Sequence, residues 1–349
     1  MAYTPIDKST EHFNTKLYTG NGSAGHAITG VGFKPDLLWI KPRNLANSNR
    51  LHSPLLTAPD YFVMSENTDV EATNNDCVTS FDTDGFTLGN TDNGWNGSYN
   101  YVSWNWKAAG TSGSSNSDGS ITSTVSANTT SGFSIVNYTG SGANATVGHG
   151  LGAAPKAILF KNKNTATDWD VYHGSMAATE RIHLNTTAAK NTAAQAFNST
   201  APTSSVFSVG TADNTNKSSS PMIAFCFAEK TGFSKMGLYY GNSDNNGPFV
   251  YTGFKPAFVM LKETGSTSAW FIIDNKRTSN GGNPFNLFLR PNDYAAETNS
   301  SWHKIDFLSN GFKIKDDDAD INDASYNYIY MAFAEAPLVG SNDAPANAG

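Results

Sequence analysis

One pattern occurs three times along the chain, and a repeat of this length restricts the fold more than any local motif, because each copy must form the same unit. Gly32-Phe33-Lys34-Pro35-Asp36-Leu37-Leu38-Trp39-Ile40-Lys41 aligns with Gly152-Ala153-Ala154-Pro155-Lys156-Ala157-Ile158-Leu159-Phe160-Lys161 and with Gly253-Phe254-Lys255-Pro256-Ala257-Phe258-Val259-Met260-Leu261-Lys262. Upstream lie Phe13 with Tyr18-Thr19-Gly20, Phe133 with Tyr138-Thr139-Gly140, and Phe233 with Tyr239-Tyr240-Gly241. The last has one extra residue, which predicts a bulge. Downstream come Gly85-Phe86, Val206-Phe207 and Gly311-Phe312, each followed by an Asp/Asn-rich loop.

Each copy ends in an alternating run: Val102, Trp104 and Trp106; Ile223, Phe225 and Phe227; Ile329, Met331 and Phe333. Period-two alternation puts each triplet on one face of a strand. Short runs of this kind between Gly, Asn, Asp and Ser clusters predict an all-β chain of three tandem β-sandwich repeats, jelly-roll or lectin-like, of about 100 residues each. The predicted boundaries are repeat 1 at 1–107, a Ser/Thr/Gly-rich linker at 108–131, repeat 2 at 132–230, repeat 3 at 231–336 and an extended C-terminal arm at 337–349. Within the linker, Ser120 to Val125 has the character of an edge strand. The best helix candidate is Thr186 to Phe197, for its alanines.

Composition narrows the partners. The chain of 349 residues carries 23 basic and 30 acidic residues, so the counterion release that drives nucleic-acid binding is missing. No apolar run is long enough to span a bilayer, and the first residues lack the apolar core of a secretion signal. Two cysteines, Cys77 and Cys226, exclude a disulfide framework, and Cys226 in Met222 to Glu229 reads as a buried, inert thiol.

Candidate chemistry is sparse. Asp316, Asp317, Asp318, Asp320 and Asp323 supply hard oxygens for calcium, although the spacing is not that of an EF-hand and Asp and Asn also favour turns. Trp95 with Asn96 and Tyr99, and Trp302 with His303, pair aromatics with polar groups, the equipment for stacking a sugar ring and bonding its hydroxyls. The competing reading is aromatics that cap a sandwich edge. His149, His173, Asp170 and Ser175 form no nucleophile elbow. Gly148 to Gly152 is followed by a strand, where a phosphate cradle needs a helix. Trp169 and Trp270 stand eight residues after the shared lysine, where the first copy has Asn49, so properties resting on this tryptophan are expected in copies two and three only.

The segments LYTGNG, ITGVGFKPDLLWIK, GSITSTVSANTTSGFSIVNYTG, FVYTGFKPAFVMLK and YIYMAFAEAPLVGSNDAPA together resemble a family of repeat proteins encoded by marine bacteriophages, including those of cyanobacteria. The resemblance covers essentially the whole chain and brings no catalytic residues. It implies a non-enzymatic structural protein of the virion, a tail fibre, spike or capsid-surface component assembled in the host cytoplasm. Expected partners are other virion proteins and further copies of the chain, with a host surface glycan as the ligand of an adhesin. A glycan-degrading tail enzyme is the remaining alternative.

Overall fold

The alternating run that closes each segment becomes the centre of a sheet, which explains why it carries the largest side chains. In the computed structural model, which describes residues 3–74, 77–89, 92–279, 281–340 and 344, Asn100–Trp106 lies between Phe13–Thr19 and Leu37–Pro42. Pro221–Phe227 lies between Phe133–Thr139 and Ala157–Asn162, and Asn327–Pro337 between Ser234–Tyr240 and Phe254–Glu263. The ladders are antiparallel. Trp104 pairs with Thr15 and Trp39, Phe225 with Ile135 and Leu159, and Met331 with Met236 and Met260. The chain is therefore nearly all β, in several open antiparallel sheets.

Each large sheet has two apolar faces. One faces a smaller sheet of its own segment: His26–Thr29, Gly85–Leu88 and Val78–Asp82 in the first, Ala145–Gly148 and Val206–Val209 in the middle, Phe249–Tyr251, Gly311–Ile314 and Ile305–Leu308 in the last. Leu38, Ile40, Phe86 and Tyr101 fill this space in the first segment, and Ile158, Phe160, Val147 and Phe207 in the middle one. The other faces converge. Phe13, Trp106, Phe133, Phe227, Phe258 and Phe333 belong to one core, with the Trp106 ring 6.2 Å from Phe227 and 5.6 Å from Phe333. Each such side chain contributes about 1.5–3 kcal/mol by burial, so the segments share their stability.

Hydrogen bonds join the segments at matching positions. Thr167 N–H donates to Thr68 O (3.1 Å) and Glu71 N–H to Lys163 O (2.8 Å). Ser268 N–H donates to Thr187 O (3.0 Å) and Lys190 N–H to Thr264 O (3.0 Å). Asn47 N–H donates to Tyr294 O (2.9 Å) and Glu297 N–H to Arg43 O (2.6 Å). In every case the carbonyl lies two residues, and the donor six residues, beyond the shared lysine. The lysines complete the seams. Lys161 Nζ reaches Thr68 O at 2.9 Å, Lys262 Nζ reaches Thr187 O at 3.3 Å and Lys41 Nζ reaches Tyr294 O at 2.9 Å. Middle binds first, last binds middle, and first binds last.

The tryptophan expected to matter in two copies has a counterpart in the third. Trp169 Nε1 donates to Met64 O at 2.8 Å and Trp270 Nε1 to His183 O at 2.9 Å, both across a seam. Asn49 Nδ2 makes the corresponding bond to Arg290 O at 3.2 Å, so a side-chain amide replaces the indole and the seam is kept.

Three local expectations are corrected. The helix from Thr186 shrinks to Ala194–Phe197, because Asn191–Thr192 pairs with Glu180 and Arg181 and the Asn and Thr residues favour that extended edge. The extra residue near Phe233 makes no bulge in Ser234–Tyr240. Ser234 pairs with Phe333, as Phe133 pairs with Phe227, leaving Phe233 just before the strand; the register shifts fall instead at Lys255, Pro256 and Phe258. The segment 108–131 is more ordered than a linker: the strand expected within Ser120 to Val125 is present but shifted to Ser123–Asn128, paired with Phe133–Thr139, and Ser114–Asn116 lies beyond it at the edge of the middle sheet. Of the predicted C-terminal arm, residues 341–343 and 345–349 lie outside the described residues.

Candidate functional site

The acidic run and one of the two aromatic loops meet in the last segment. Asp318 is the N-cap of the short helix Ala319–Asn322, its side chain accepting from Asp320 N–H at 2.9 Å. That turn points both carboxylates at His303, whose Nε2 lies 3.1 Å from Asp318 Oδ1 and 3.6 Å from Asp320 Oδ2. Ser300 Oγ lies 3.1 Å from the other ring nitrogen and Ser268 Oγ donates to Asp320 Oδ1 at 3.0 Å. The His303 ring beside it, aided by the hydrogen bond from Ser268, holds the Asp320 carboxyl below its ordinary range against partial desolvation. One imidazole nitrogen and two carboxylate oxygens lie within 4.8 Å of one another, a donor set that could hold a divalent cation.

The other acids of the run are used elsewhere. Asp316 is buried beside Lys304 at 3.7 Å, and desolvation raises its pKa. Asp317 is exposed, and Asp323 accepts from Ser325 N–H at 2.7 Å. None of the three joins the His303 group. Trp302, next to His303, is 64% exposed and offers an open indole face.

The Trp95 loop is different. Trp95 is fully buried, so it cannot stack a ligand, and Tyr99 packs partly buried against the same cluster. The Arg50 guanidinium lies 4.6 Å over the Trp95 ring and 3.3 Å from Asp92. Asn96 is a buried clamp: its Oδ1 accepts from Asn21 N–H (3.1 Å) and its Nδ2 donates to Ser23 O (2.9 Å) and Gly89 O (2.8 Å). Asn216 does the same with Ser141 N–H, Ala143 O and Gly210 O, and Asn322 with Asn242 N–H, Asp244 O and Asp316 O. Gly20, Gly140 and Gly241 lie against these turns, where a Cβ would meet a backbone oxygen at 2.0, 2.1 and 2.1 Å. The recurring Asn/Asp loops thus have a structural cause that the sequence reading missed; the signal was an asparagine that follows the shared phenylalanine of each copy at nearly the same distance, Asn96 after Phe86, Asn216 after Phe207 and Asn322 after Phe312.

The histidines and serine weighed for catalysis are not assembled. His173 is buried with Nε2 3.2 Å from Tyr330 O, and burial pushes its pKa down to about 4. Its Nδ1 accepts from Ser175 N–H, not from the hydroxyl. Asp170 faces Arg181 at 3.0 Å and His183 at 3.0 Å, while His149 is tied to Thr203 O. Cys226 is buried and its thiol pKa is raised by desolvation.

The fold and these turns define an all-β protein with no assembled catalytic triad among the described residues. The chain belongs to the family described as Domain of unknown function (DUF7483), whose model matches residues 8–337. No curated protein and no solved structure matches it.

Proposed function

We propose that the chain is a non-enzymatic structural component of a phage particle, a tail fibre, spike or capsid-surface protein, built from three copies of one β-sandwich unit closed around a common pseudo-threefold axis. The carrying observation is the set of three seams with matching donors and acceptors at Thr68, Thr187 and Tyr294. Heterologous contacts that close on themselves make a ring, here within a single chain. Buried charge supports the same reading. Lys41, Lys161, Lys262, Asp274 and Arg277 are all buried, and their polar contacts include bonds across or beside the seams. The virion itself is brought by the resemblance of the repeats to marine phage proteins, and its other proteins or further copies of the chain are the partners.

Peptide mass spectrometry of purified particles from a phage encoding the chain tests this reading, with immunogold labelling to place it on tail or shell. Recovery at a level comparable with other structural proteins is expected. Absence from intact particles overturns it. A second reading, attachment to a host glycan, is favoured by the exposed Trp302 beside His303.

A further inference from the structure

The turn that ends in the clamp asparagine recurs in each segment, but its charges balance in the first and not in the last. Asp92 and Asp318 each stand four residues before that asparagine and each cap the turn, Asp92 Oδ1 accepting from Gly94 N–H at 2.6 Å and Asp318 Oδ1 from Asp320 N–H at 2.9 Å. In the first segment a guanidinium answers the acid: Arg50, paired with Ile40 across the ladder, reaches Asp92 at 3.3 Å. In the last segment the matching residue, paired with Leu261, is Phe271, and a second carboxylate, Asp320, stands where the first segment has Gly94. The middle segment has Ala212 at the capping position, so no acid stands there.

An imidazole is all that faces the two acids of the last segment. His303 is nine-tenths buried against the Phe271 and Phe288 rings, with centroids 4.9 and 5.1 Å away. Neither Asp318 nor Asp320 has a lysine or arginine ion-pair partner among the described residues. Arg290, near enough to act on Asp320 through space, is paired with Asp293 at 3.4 Å. In its neutral form the imidazole offers at most one N–H toward them, which cannot match two carboxylates.

The spacing of the donors is that of a metal site. Nε2 lies 3.1 Å from Asp318 Oδ1 and 3.6 Å from Asp320 Oδ2, and ligand atoms held tetrahedrally at about 2.0–2.2 Å from zinc are roughly 3.3–3.6 Å apart. Ser268 Oγ holds the other Asp320 oxygen at 3.0 Å and Ser300 Oγ stands 3.1 Å from His303 Nδ1, the kind of outer bonds that orient metal ligands. An imidazole nitrogen among the donors suits zinc, whereas calcium takes oxygens alone.

We infer that His303, Asp318 and Asp320 bind a zinc ion, which supplies the positive charge that Arg50 supplies in the first segment and ties the 300–303 loop to the 318–320 turn. Both carboxylates are partly exposed, which leaves the fourth position to water. The inference stands apart from the virion and glycan readings, because it needs no partner beyond the metal.

Calorimetric titration of zinc chloride into the metal-free full chain, with thermal unfolding in the presence and absence of zinc, tests it. One zinc per chain is expected, with a dissociation constant of about 10 μM or tighter and a higher unfolding midpoint when zinc is present. Asp320→Asn keeps the shape of the side chain and its place beside Ser268, and it should weaken zinc binding roughly tenfold or more, as should His303→Gln. Asp317→Asn, at an exposed acid of the same run, should leave binding unchanged. No binding at about 100 μM zinc, undiminished binding by either Asp320→Asn or His303→Gln, or tighter binding of calcium than of zinc overturns the inference.

Discussion

The Trp104 indole N–H donates to Asp274 Oδ2 at 2.9 Å, joining the first and last segments through a fully buried bond. The same oxygen takes Arg277 Nε at 2.6 Å, and Arg277 reaches Glu297 at 3.1 Å, which is held bidentately by Arg43. Removing the carboxylate alone would strand a buried guanidinium. Asp274→Ala should therefore cost about 3–5 kcal/mol, read from denaturant midpoints. A loss below about 1 kcal/mol would show that solvent already reaches the pair.

Trp104 and Phe225 occupy matching central positions in two sheets and are both fully buried. Truncating either to alanine should cost about 3–5 kcal/mol by lost transfer energy and the cavity left behind. Because both belong to the shared core, each variant should still unfold in a single transition, seen by coincident fluorescence and circular dichroism.

The asparagine clamps predict a graded effect. Replacing Asn96, Asn216 or Asn322 by alanine leaves one loop N–H and two carbonyls without their partner, at about 1–3 kcal/mol for each buried group not rescued by water. Asparagine to aspartate should be worse still, since an anion would face the two carbonyls that now accept from Nδ2. Thermal unfolding of the three aspartate variants checks this, and a stabilised variant would contradict it.

The seam lysines set a pH dependence. Burial pushes Lys41, Lys161 and Lys262 down to about 8, against the smaller opposing pull of nearby carboxylates. The unfolded chain therefore holds more protons than the folded one between pH 8 and the ordinary lysine value of 10.5, so these groups make stability rise with pH across that window. Below it, the cost of a buried ammonium is fully felt. Urea midpoints at about pH 7, 8.5 and 9.5 should show Lys161→Met rising less than the parent chain, because one of the three titrating groups has gone. An equal rise in the two proteins would mean that Lys161 keeps its ordinary pKa.

The strand pattern was legible because apolar alternation survives in Val102 to Trp106 and Ile223 to Phe227, but alternation marks only one buried face; the burial of Ser103, Asn105 and Ala224 on the other face comes from the smaller sheet packed against it. The seams were not, since their donors and acceptors are mostly backbone groups and carry no side-chain signature; only the recurring lysine marked the place. Trp95 misled for a physical reason. Its Asn and Gly neighbours read as an open loop, but a Cβ at Gly94 would fall 0.8 Å from Arg50 Nη1, so the glycine is there to admit an arginine that seals the tryptophan. His303 and the Asp318–Asp320 turn were each visible, yet fifteen residues separate His303 from Asp318 and only the fold brings them together.

Native-state hydrogen exchange at the seams tests the closed ring most directly. The amides of Thr167 and Glu71, of Ser268 and Lys190, and of Asn47 and Glu297 report the three seams in turn. A closed ring predicts comparable protection at all three, approaching that of the central strands. Fast exchange at Asn47 and Glu297 with slow exchange at the other four would contradict it, leaving three units in an open row.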